Sequence, residues 1–187
     1  IETVMTSEMT PGQAKVYHAY AEKLMQEAES ELADPQGRMK LLAGLTRLRQ
    51  LCCDPRLCLE EYAAGSGKLD QLIELAGGLA AQGHRMLIFS QFTSMLALLE
   101  EALYDAGLQT LKLTGETDKI ERMALVEQFN SGDIPVFLIS LKAGGTGLNL
   151  TGADVVIHYD PWWNTAARNQ ATDRAYRIGQ TKGVQVF

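Results

Sequence analysis

The sequence predicts an α/β fold, in which a doubly wound parallel sheet flanked by helices follows an N-terminal helical region. Short apolar runs recur from residue 86 onward, and segments of about a dozen residues with helical periodicity separate them. Strands that are buried on both faces and joined by helices form parallel sheets. A helical pattern from residue 10 to residue 51 predicts the helical region that precedes the sheet.

The first helices are predicted to form a hairpin. Pro11 suits the first turn of a helix capped by Thr10. A turn at residues 34–37 (DPQG) separates this helix from a second amphipathic one, whose apolar stripe starts at Met39 and which Pro55 closes.

A segment of small residues, 63–67, leads from the hairpin into a third helix over residues 69–81. Beyond it the chain changes to the alternation of strands and helices. We therefore predict a helical region at residues 1–65 and a sheet domain at residues 66–187.

The sheet is predicted to contain strands at residues 86–90, 110–113, 136–140 and 155–158, and a last strand that begins at residue 184. The helices between them are predicted at residues 95–106, 120–129 and 165–177. In such sheets, ligands bind beyond the carboxyl ends of the strands. Polar and glycine residues gather at those ends, at Ser90, Thr114, Gly115, 140–147 and 160–164.

Composition narrows the class of protein. Hydrophobic residues make up 46% of the chain and charged residues 21%, as in ordinary globular domains. No apolar run approaches the ~20 residues of a membrane span, so we expect no membrane contact. The chain opens on Ile1 without a signal-peptide pattern, so we expect a fragment of a protein that is not secreted.

Cysteine spacing and net charge narrow the class of protein further. Cys52, Cys53 and Cys58 lack the paired spacing of a zinc site, so we expect no metal site and reduced thiols. The net charge is −6, yet the segment from Lys142 onward contains five basic residues and only three acidic ones. We expect any contact with a polyanion on this last third, or on single lysines and backbone amides around it.

The most informative segment is residues 140–150 (SLKAGGTGLNL), where a predicted strand runs into closely spaced glycines. Such glycines let backbone amides approach a phosphate, and Ser140 with Lys142 adds a hydroxyl group and a charge. A plain glycine-rich turn explains the pattern equally well. Residues 64–69 (AGSGKL) fail the phosphate-loop pattern, because Tyr62 and Leu69 occupy two of its required positions.

Two further groups of residues lie near the C-terminus. Gln170, Arg174 and Arg177 are spaced to share one helix face, and paired guanidinium groups can bind one phosphate. A solvated face bridged by Asp173 is the simpler alternative. Adjacent tryptophans in residues 160–164 (DPWWN) cannot both enter one core, so at least one is a candidate for stacking on nucleic acid.

Taken in order, these segments resemble motifs IV, IVa, V, Va and VI of the Swi/Snf-type remodelling ATPases. The matching segments are residues 88–92 (IFSQF), 113–116 (LTGE) with Arg122 and 128–132 (QFNSG), 140–150, 159–164 (YDPWWN) and 170–180 (QATDRAYRIGQ). Residues 9–13, 48–52 and 66–69 resemble the helical region of that family. The resemblance implies a C-terminal RecA-like lobe that ends before the family's bracing segment.

The resemblance also implies residue roles. Arg174 and Arg177 would be arginine fingers that complete an ATP site, with Gln170, Gly147 and Asn149 lining its cleft. The residues that would hold backbone phosphates of DNA are Ser90, Thr114, Gly115, Ser140 and Lys142. Trp163 would touch the duplex as a tracking residue.

The implied activity is that of the second motor lobe of an ATP-driven double-stranded-DNA translocase. No Walker A loop and no DExx pair occurs in the 187 residues, so we expect lobe one to hold ATP and Mg²⁺ and this chain alone to bind neither and to be inactive. The expected partners are lobe one of the same polypeptide, double-stranded DNA and a DNA-bound protein complex.

Other interpretations remain open from the sequence. The chain could be the second lobe of a strand-separating RNA or DNA helicase, or a non-catalytic protein-interaction module that retains the motifs. The expected location is the bacterial cytoplasm, with the nucleoid, or the eukaryotic nucleus.

Overall fold

The computed structural model describes residues 2–31, 34–144, 147–161, 165–175 and 180–187. These residues divide into two compact units. One is the helical unit Ser7–Leu72, and the other is the sheet unit, which combines Ile1–Thr6 with Ile73–Phe187. Within the described residues, no helix is both long and apolar enough to cross a membrane.

The helical unit is built on a hairpin of two helices, α1 (Pro11–Glu31) and α2 (Pro35–Cys53). A short 3-10 helix, Pro55–Leu57, follows, and the unit ends inside α3 (Gly67–Ala81). Helix α2 begins before the apolar stripe that starts at Met39, because Pro35 already supplies a suitable backbone angle for the first turn.

Gln13 ties the helices of this unit together. Its side chain is buried, and its Nε2 donates to the carbonyl oxygen of Leu51 at 2.9 Å. Its Oε1 accepts from the amide of Gly67 at 3.1 Å. A β-carbon at Gly67 would lie only 1.7 Å from the carbonyl oxygen of Glu8. Glycine at this position therefore permits a close backbone approach, and its amide serves the fold.

The sheet unit contains strands β1 (Met86–Ser90), β2 (Thr110–Leu113), β3 (Val136–Ser140), β4 (Val155–His158) and β5 (Gln185–Val186). The described strands pair in the order β2-β3-β1-β4-β5, and every pairing is parallel. The helices are α4 (Thr93–Asp105), α5 (Lys119–Ser131), the short α6 (Leu141–Gly144) and α7 (Thr165–Thr172). This is the doubly wound sheet that the sequence predicts.

Burial along the strands follows their place in the sheet. β1 and β3 lie inside the sheet and are buried at every position, whereas the edge strand β2 alternates buried and half-buried residues. The core centres on Phe89, Phe129 and Phe137, with the last two rings 5.2 Å apart between centroids. Because these side chains come from strands and from α5, the core fixes the strand ends that carry the candidate site.

Helix α7 is shorter than predicted, and the expectation of a helix through residue 177 is wrong. It ends at Thr172, and residues 173–175 form a turn in which the amide of Ala175 bonds to the carbonyl oxygen of Thr172. The carbonyl oxygen of Arg174 accepts instead from the amide of Leu150 at 3.1 Å. A hydrogen bond to a distant segment thus competes with continuation of the helix.

Candidate functional site

The carboxyl ends of four strands meet in a row along one edge of the sheet. Ser90 at the end of β1 pairs in register with Ser140 at the end of β3. Thr114 directly follows β2 beside them, and Tyr159 directly follows β4 on the other side. Neighbouring strands are about 4.8 Å apart. The parallel register therefore brings together the predicted residues Ser90, Thr114 and Ser140.

The crevice between β1 and β4 is the point where the strand connections diverge. The chain leaves β1 towards β2 and leaves β4 towards β5, in opposite directions, which is where ligands collect in open α/β sheets. Asp160 is buried there, and its Oδ1 accepts from the hydroxyl group of Ser90 at 2.5 Å. It also accepts from the amide of Gln91, at 3.1 Å to Oδ2. Ser90 is therefore buried and bonded within the chain.

Ser140 and Lys142 occupy different environments at the end of β3. Ser140 is buried, and its Oγ accepts from the amide of Ala143 at 3.3 Å, which fixes the start of α6. Lys142, on α6, is exposed. Of these two predicted phosphate contacts, the structure therefore leaves the charged side chain accessible and engages the hydroxyl group internally.

The loop after β2 is held by Arg122 of α5. Its Nε donates to the carbonyl oxygen of Thr117 at 2.7 Å, and its Nη2 donates to those of Gly115 and Thr114 at 3.2 and 3.3 Å. Asp118 caps the same helix by accepting from two backbone amides. Thr114 is half-buried and Gly115 is exposed, so this loop presents backbone to solvent on a fixed support.

Residues 147–149 border a groove against α5. Gly147 has a φ of 69°, in the left-handed region that glycine adopts without strain. Asn149 is exposed, and its carbonyl oxygen accepts from Nδ2 of Asn130 at 2.8 Å. The groove has a volume of about 1020 Å³, and its lining includes Gly147, Asn149 and Asn130. Two of the three residues that were predicted to line a nucleotide cleft, Gly147 and Asn149, thus face one open concavity, and Gln170 is not part of its lining.

The predicted arginine face is only partly described. Gln170 is exposed on α7, whereas Arg174 is buried, with 2% of its surface accessible, in the turn that follows. These two residues therefore do not share an exposed helix face, and that sequence-based expectation is wrong. Arg177 and Trp163 lie outside the described residues. The role of each arginine as a finger stays a prediction.

His158 joins the end of β4 to α7. Its Nε2 lies 2.9 Å from the hydroxyl oxygen of Thr172, and its ring stacks on Phe89 with centroids 5.7 Å apart. Burial, together with the positive charge of Arg168, lowers the pKa of His158 from 6.5 to about 4. The imidazole is therefore neutral at pH 7 and acts there as a hydrogen-bonding, apolar-packed group.

Sequence reasoning missed the side chains that support these loops. Arg122, Asn130 and Asp160 all lie in segments that carry the resemblance, but no role was assigned to them. The structure shows Arg122 and Asp160 bonded to backbone at the carboxyl edge, and Asn130 bonded to the backbone of Asn149 in the segment that follows Gly147. Their common signal is a side chain able to make several hydrogen bonds, placed next to a predicted glycine-rich or strand-end segment.

Comparisons with known proteins agree with this geometry. Residues 67–179 match the family described as "Helicase conserved C-terminal domain". The chain is 45% identical over 163 residues to a putative ATP-dependent helicase/translocase, YwqA, of Bacillus subtilis, which covers 84% of this chain and 18% of that protein. It is 48% identical over 122 residues to Helicase swr1 of Schizosaccharomyces pombe, which covers 65% of this chain and 10% of that protein.

A solved structure is similar along the whole chain. The structure is that of a Sulfolobus solfataricus SWI2/SNF2 ATPase core in complex with double-stranded DNA, with a TM-score of 0.85 and 33% identity over 100% of this chain and 40% of that one. The chain spans less than a fifth of the length of each of the two relatives named above. It belongs to the helicase conserved C-terminal domain family and is a C-terminal RecA-like lobe of the Swi/Snf type.

Proposed function

We propose that this chain is the second motor lobe of an ATP-driven double-stranded-DNA translocase that remodels protein–DNA complexes. The observation that carries the proposal is its similarity over its full length to the Sulfolobus ATPase core in complex with double-stranded DNA. The relatives named as ATP-dependent helicases support the use of ATP. In this proposal lobe one of the same polypeptide is the first partner, and double-stranded DNA is the second.

The DNA track in this proposal runs along the ends of β2 and β3. Gly115 and Lys142 are exposed and Thr114 is half-buried, so a backbone amide, a charge and a hydroxyl group are available to phosphates. The buried hydroxyl groups of Ser90 and Ser140 hold the neighbouring loops in place. We assign duplex tracking to Trp163 from the resemblance alone.

The nucleotide half-site in this proposal comprises residues 147–149, Gln170 and the two arginines. During hydrolysis, charge shifts across the phosphate oxygens, and a guanidinium group brought from a second lobe stabilises it. We assign that role to Arg174 and Arg177. Because Arg174 is buried here, its contribution requires that the turn at residues 173–175 opens towards ATP when the lobes close.

Lobe one would hold ATP and Mg²⁺, since the 187 residues include neither a phosphate-binding P-loop nor the acidic pair that binds magnesium. We therefore propose that the chain alone does not turn over ATP. The location follows the parent protein, in the nucleoid if it is bacterial and in the nucleus if it is eukaryotic. Relatives of both kinds of organism support either one.

A strand-separating helicase is the second candidate, favoured by the word helicase in the names of relatives. The experiment uses the full-length protein with two substrates: a third strand bound to a duplex, and a forked duplex. A translocase displaces the third strand with ATP and leaves the fork paired. Separation of the fork at a comparable rate would replace the translocase proposal with the helicase one.

A further inference from the structure

Helix α5 is fastened at each end to a different part of the candidate site. Near its beginning, Arg122 bonds to the carbonyl oxygens of the loop after β2, Thr117 among them. Near its end, Asn130 bonds to the segment that follows Gly147. The two fastenings lie on one continuous helix of 13 residues. None of the roles assigned so far explains the hydrogen bonds that Asn130 makes at this second end.

Both polar atoms of the Asn130 side chain bond to the backbone of that segment. Nδ2 donates to the carbonyl oxygen of Asn149 at 2.8 Å, and Oδ1 accepts from the amide of Gly152 at 2.9 Å. The amide group is planar and offers donor and acceptor on opposite sides. Two bonds in opposite directions therefore fix the spacing between Asn149 and Gly152 and their orientation relative to α5.

Close packing reinforces these bonds. A β-carbon at Gly152 would lie 3.1 Å from the Cα of Asn130 and 2.9 Å from Nη1 of Arg85. Arg85 in turn donates to the carbonyl oxygens of Gly152 at 3.4 Å and Ile134 at 3.1 Å, and its guanidinium group stacks over Phe129. The segment is therefore held against the end of α5 through backbone approach as well as hydrogen bonds.

We infer that Asn130 is a positioning residue, which holds residues 147–149 in the conformation that the nucleotide site requires. This inference rests on the proposed function. A segment that contains Gly147 has wide backbone freedom, which nucleotide binding would otherwise have to restrict. Fixing it beforehand lowers that cost, and Asn130 does so without touching the nucleotide.

The test compares Asn130→Ala with Asn130→Asp in the full-length protein. Alanine removes both bonds, whereas aspartate keeps an acceptor for the amide of Gly152 and loses the donor to Asn149. We expect the KM for ATP to rise about 5- to 10-fold in both variants, the scale of the one hydrogen bond to Asn149 that both of them lose, with kcat changed less than about 2-fold. Hydrogen exchange of the segment around Gly152 should accelerate in the alanine variant and much less in the aspartate variant.

Two comparators separate positioning from general damage. Ser131→Ala alters the next residue, whose hydroxyl group bonds within α5 to Glu127, and should leave the KM for ATP unchanged. Arg122→Lys loosens the other end and should weaken DNA binding without raising that KM. An unchanged KM in Asn130→Ala, or the same kinetic profile in Arg122→Lys, would overturn the inference. Wild-type protein without DNA-stimulated hydrolysis would instead overturn the proposed function.

Discussion

The predicted phosphate contacts at the carboxyl edge include one accessible charged side chain and two buried hydroxyl groups. Lys142 is exposed beside the end of β3, whereas the hydroxyl groups of Ser90 and Ser140 are bonded within the chain. A phosphate in solvent attracts an accessible ammonium group with little desolvation, whereas a buried hydroxyl group would first have to break its internal bond. Lys142 is therefore the predicted contact whose loss should be most visible in DNA binding.

Lys142→Ala in the full-length protein should weaken DNA binding and lower the slope of log K against log salt by about one unit. Each phosphate contact by a basic group releases roughly one counterion, which is why the slope counts such contacts. Lys182→Ala is the matched control, since Lys182 lies at the amino end of the sheet, 3.6 Å from Asp154. Equal slopes for wild type and Lys142→Ala would remove Lys142 from the track.

His158 gives the sheet unit a defined dependence on pH. Its pKa is about 4 in the folded chain and 6.5 ordinarily, so between these values the unfolded chain binds a proton that the folded chain does not. The contribution of His158 to the free energy of unfolding is therefore fully present above pH 6.5. It falls by roughly 2 to 3 kcal/mol as the pH decreases towards 4.

Urea unfolding at a series of pH values measures this effect. The loss between pH 6.5 and 4 should be smaller in His158→Gln than in wild type, because glutamine does not titrate. His18→Gln, at an exposed site on α1, controls for the loss of a histidine elsewhere in the chain. Parallel profiles for wild type and His158→Gln would show that the half-buried imidazole of His158 is not the source of the pH dependence.

Among the elements, the strands were the most predictable. The bounds of β1, β2, β3 and β4 coincide with the predicted runs, because short apolar segments between turn residues have few alternatives. Helix α7 was less predictable, since the hydrogen bond between Leu150 and Arg174 that accompanies its end is long-range. Sequence periodicity carries no information on such a partner.

The candidate site was likewise predictable in its local features and not in its tertiary contacts. Thr114, Ser140 and Ser90 share one edge of the sheet, which follows from the strand bounds and the parallel direction, whereas their order along that edge comes from the observed pairing of the strands. The sequence does not reveal which hydroxyl groups are buried, because Asp160 reaches Ser90 only through the pairing of β1 with β4. The clamp of Asn130 on Gly152 is likewise a tertiary contact.

Helix α3 provides a test of the packing account through two of its glycines. Gly67 at its start meets the backbone of Glu8, whereas a β-carbon at Gly78 would meet nothing within 4 Å. Gly67→Ala should therefore destabilise the chain by at least about 2 kcal/mol, since a backbone oxygen cannot move away easily. Gly78→Ala should be neutral or stabilising by up to about 1 kcal/mol, from helix propensity.

Thermal or urea unfolding of the two variants tests the packing role of Gly67. A Gly67→Ala chain as stable as wild type would contradict the packing role and leave the glycine without a structural explanation.

At the scale of the whole molecule, this chain is half of a motor in our proposal. In this proposal the carboxyl edge contacts phosphates at the ends of β2 and β3, and the residues that face the nucleotide are residues 147–149 together with those of α7 and the turn after it. Neither set completes an ATP site, since the groups that bind Mg²⁺ and orient water belong to lobe one in our proposal. The central claim is therefore that this lobe supplies the arginines that stabilise the transition state.

Single-turnover ATP hydrolysis by the full-length protein at saturating DNA tests that claim most directly. Arg177→Ala and Arg174→Ala should each lower the rate by at least two to three orders of magnitude, within the range of an arginine finger of about 10³ to 10⁵, while nucleotide affinity changes far less. Lysine should rescue poorly, because it lacks the planar fork. Unfolding curves identify any fold defect at the buried Arg174, and Arg168→Ala, which loses a surface ion pair with Glu2, is the control on α7. Near-normal turnover in both alanine variants would contradict the account.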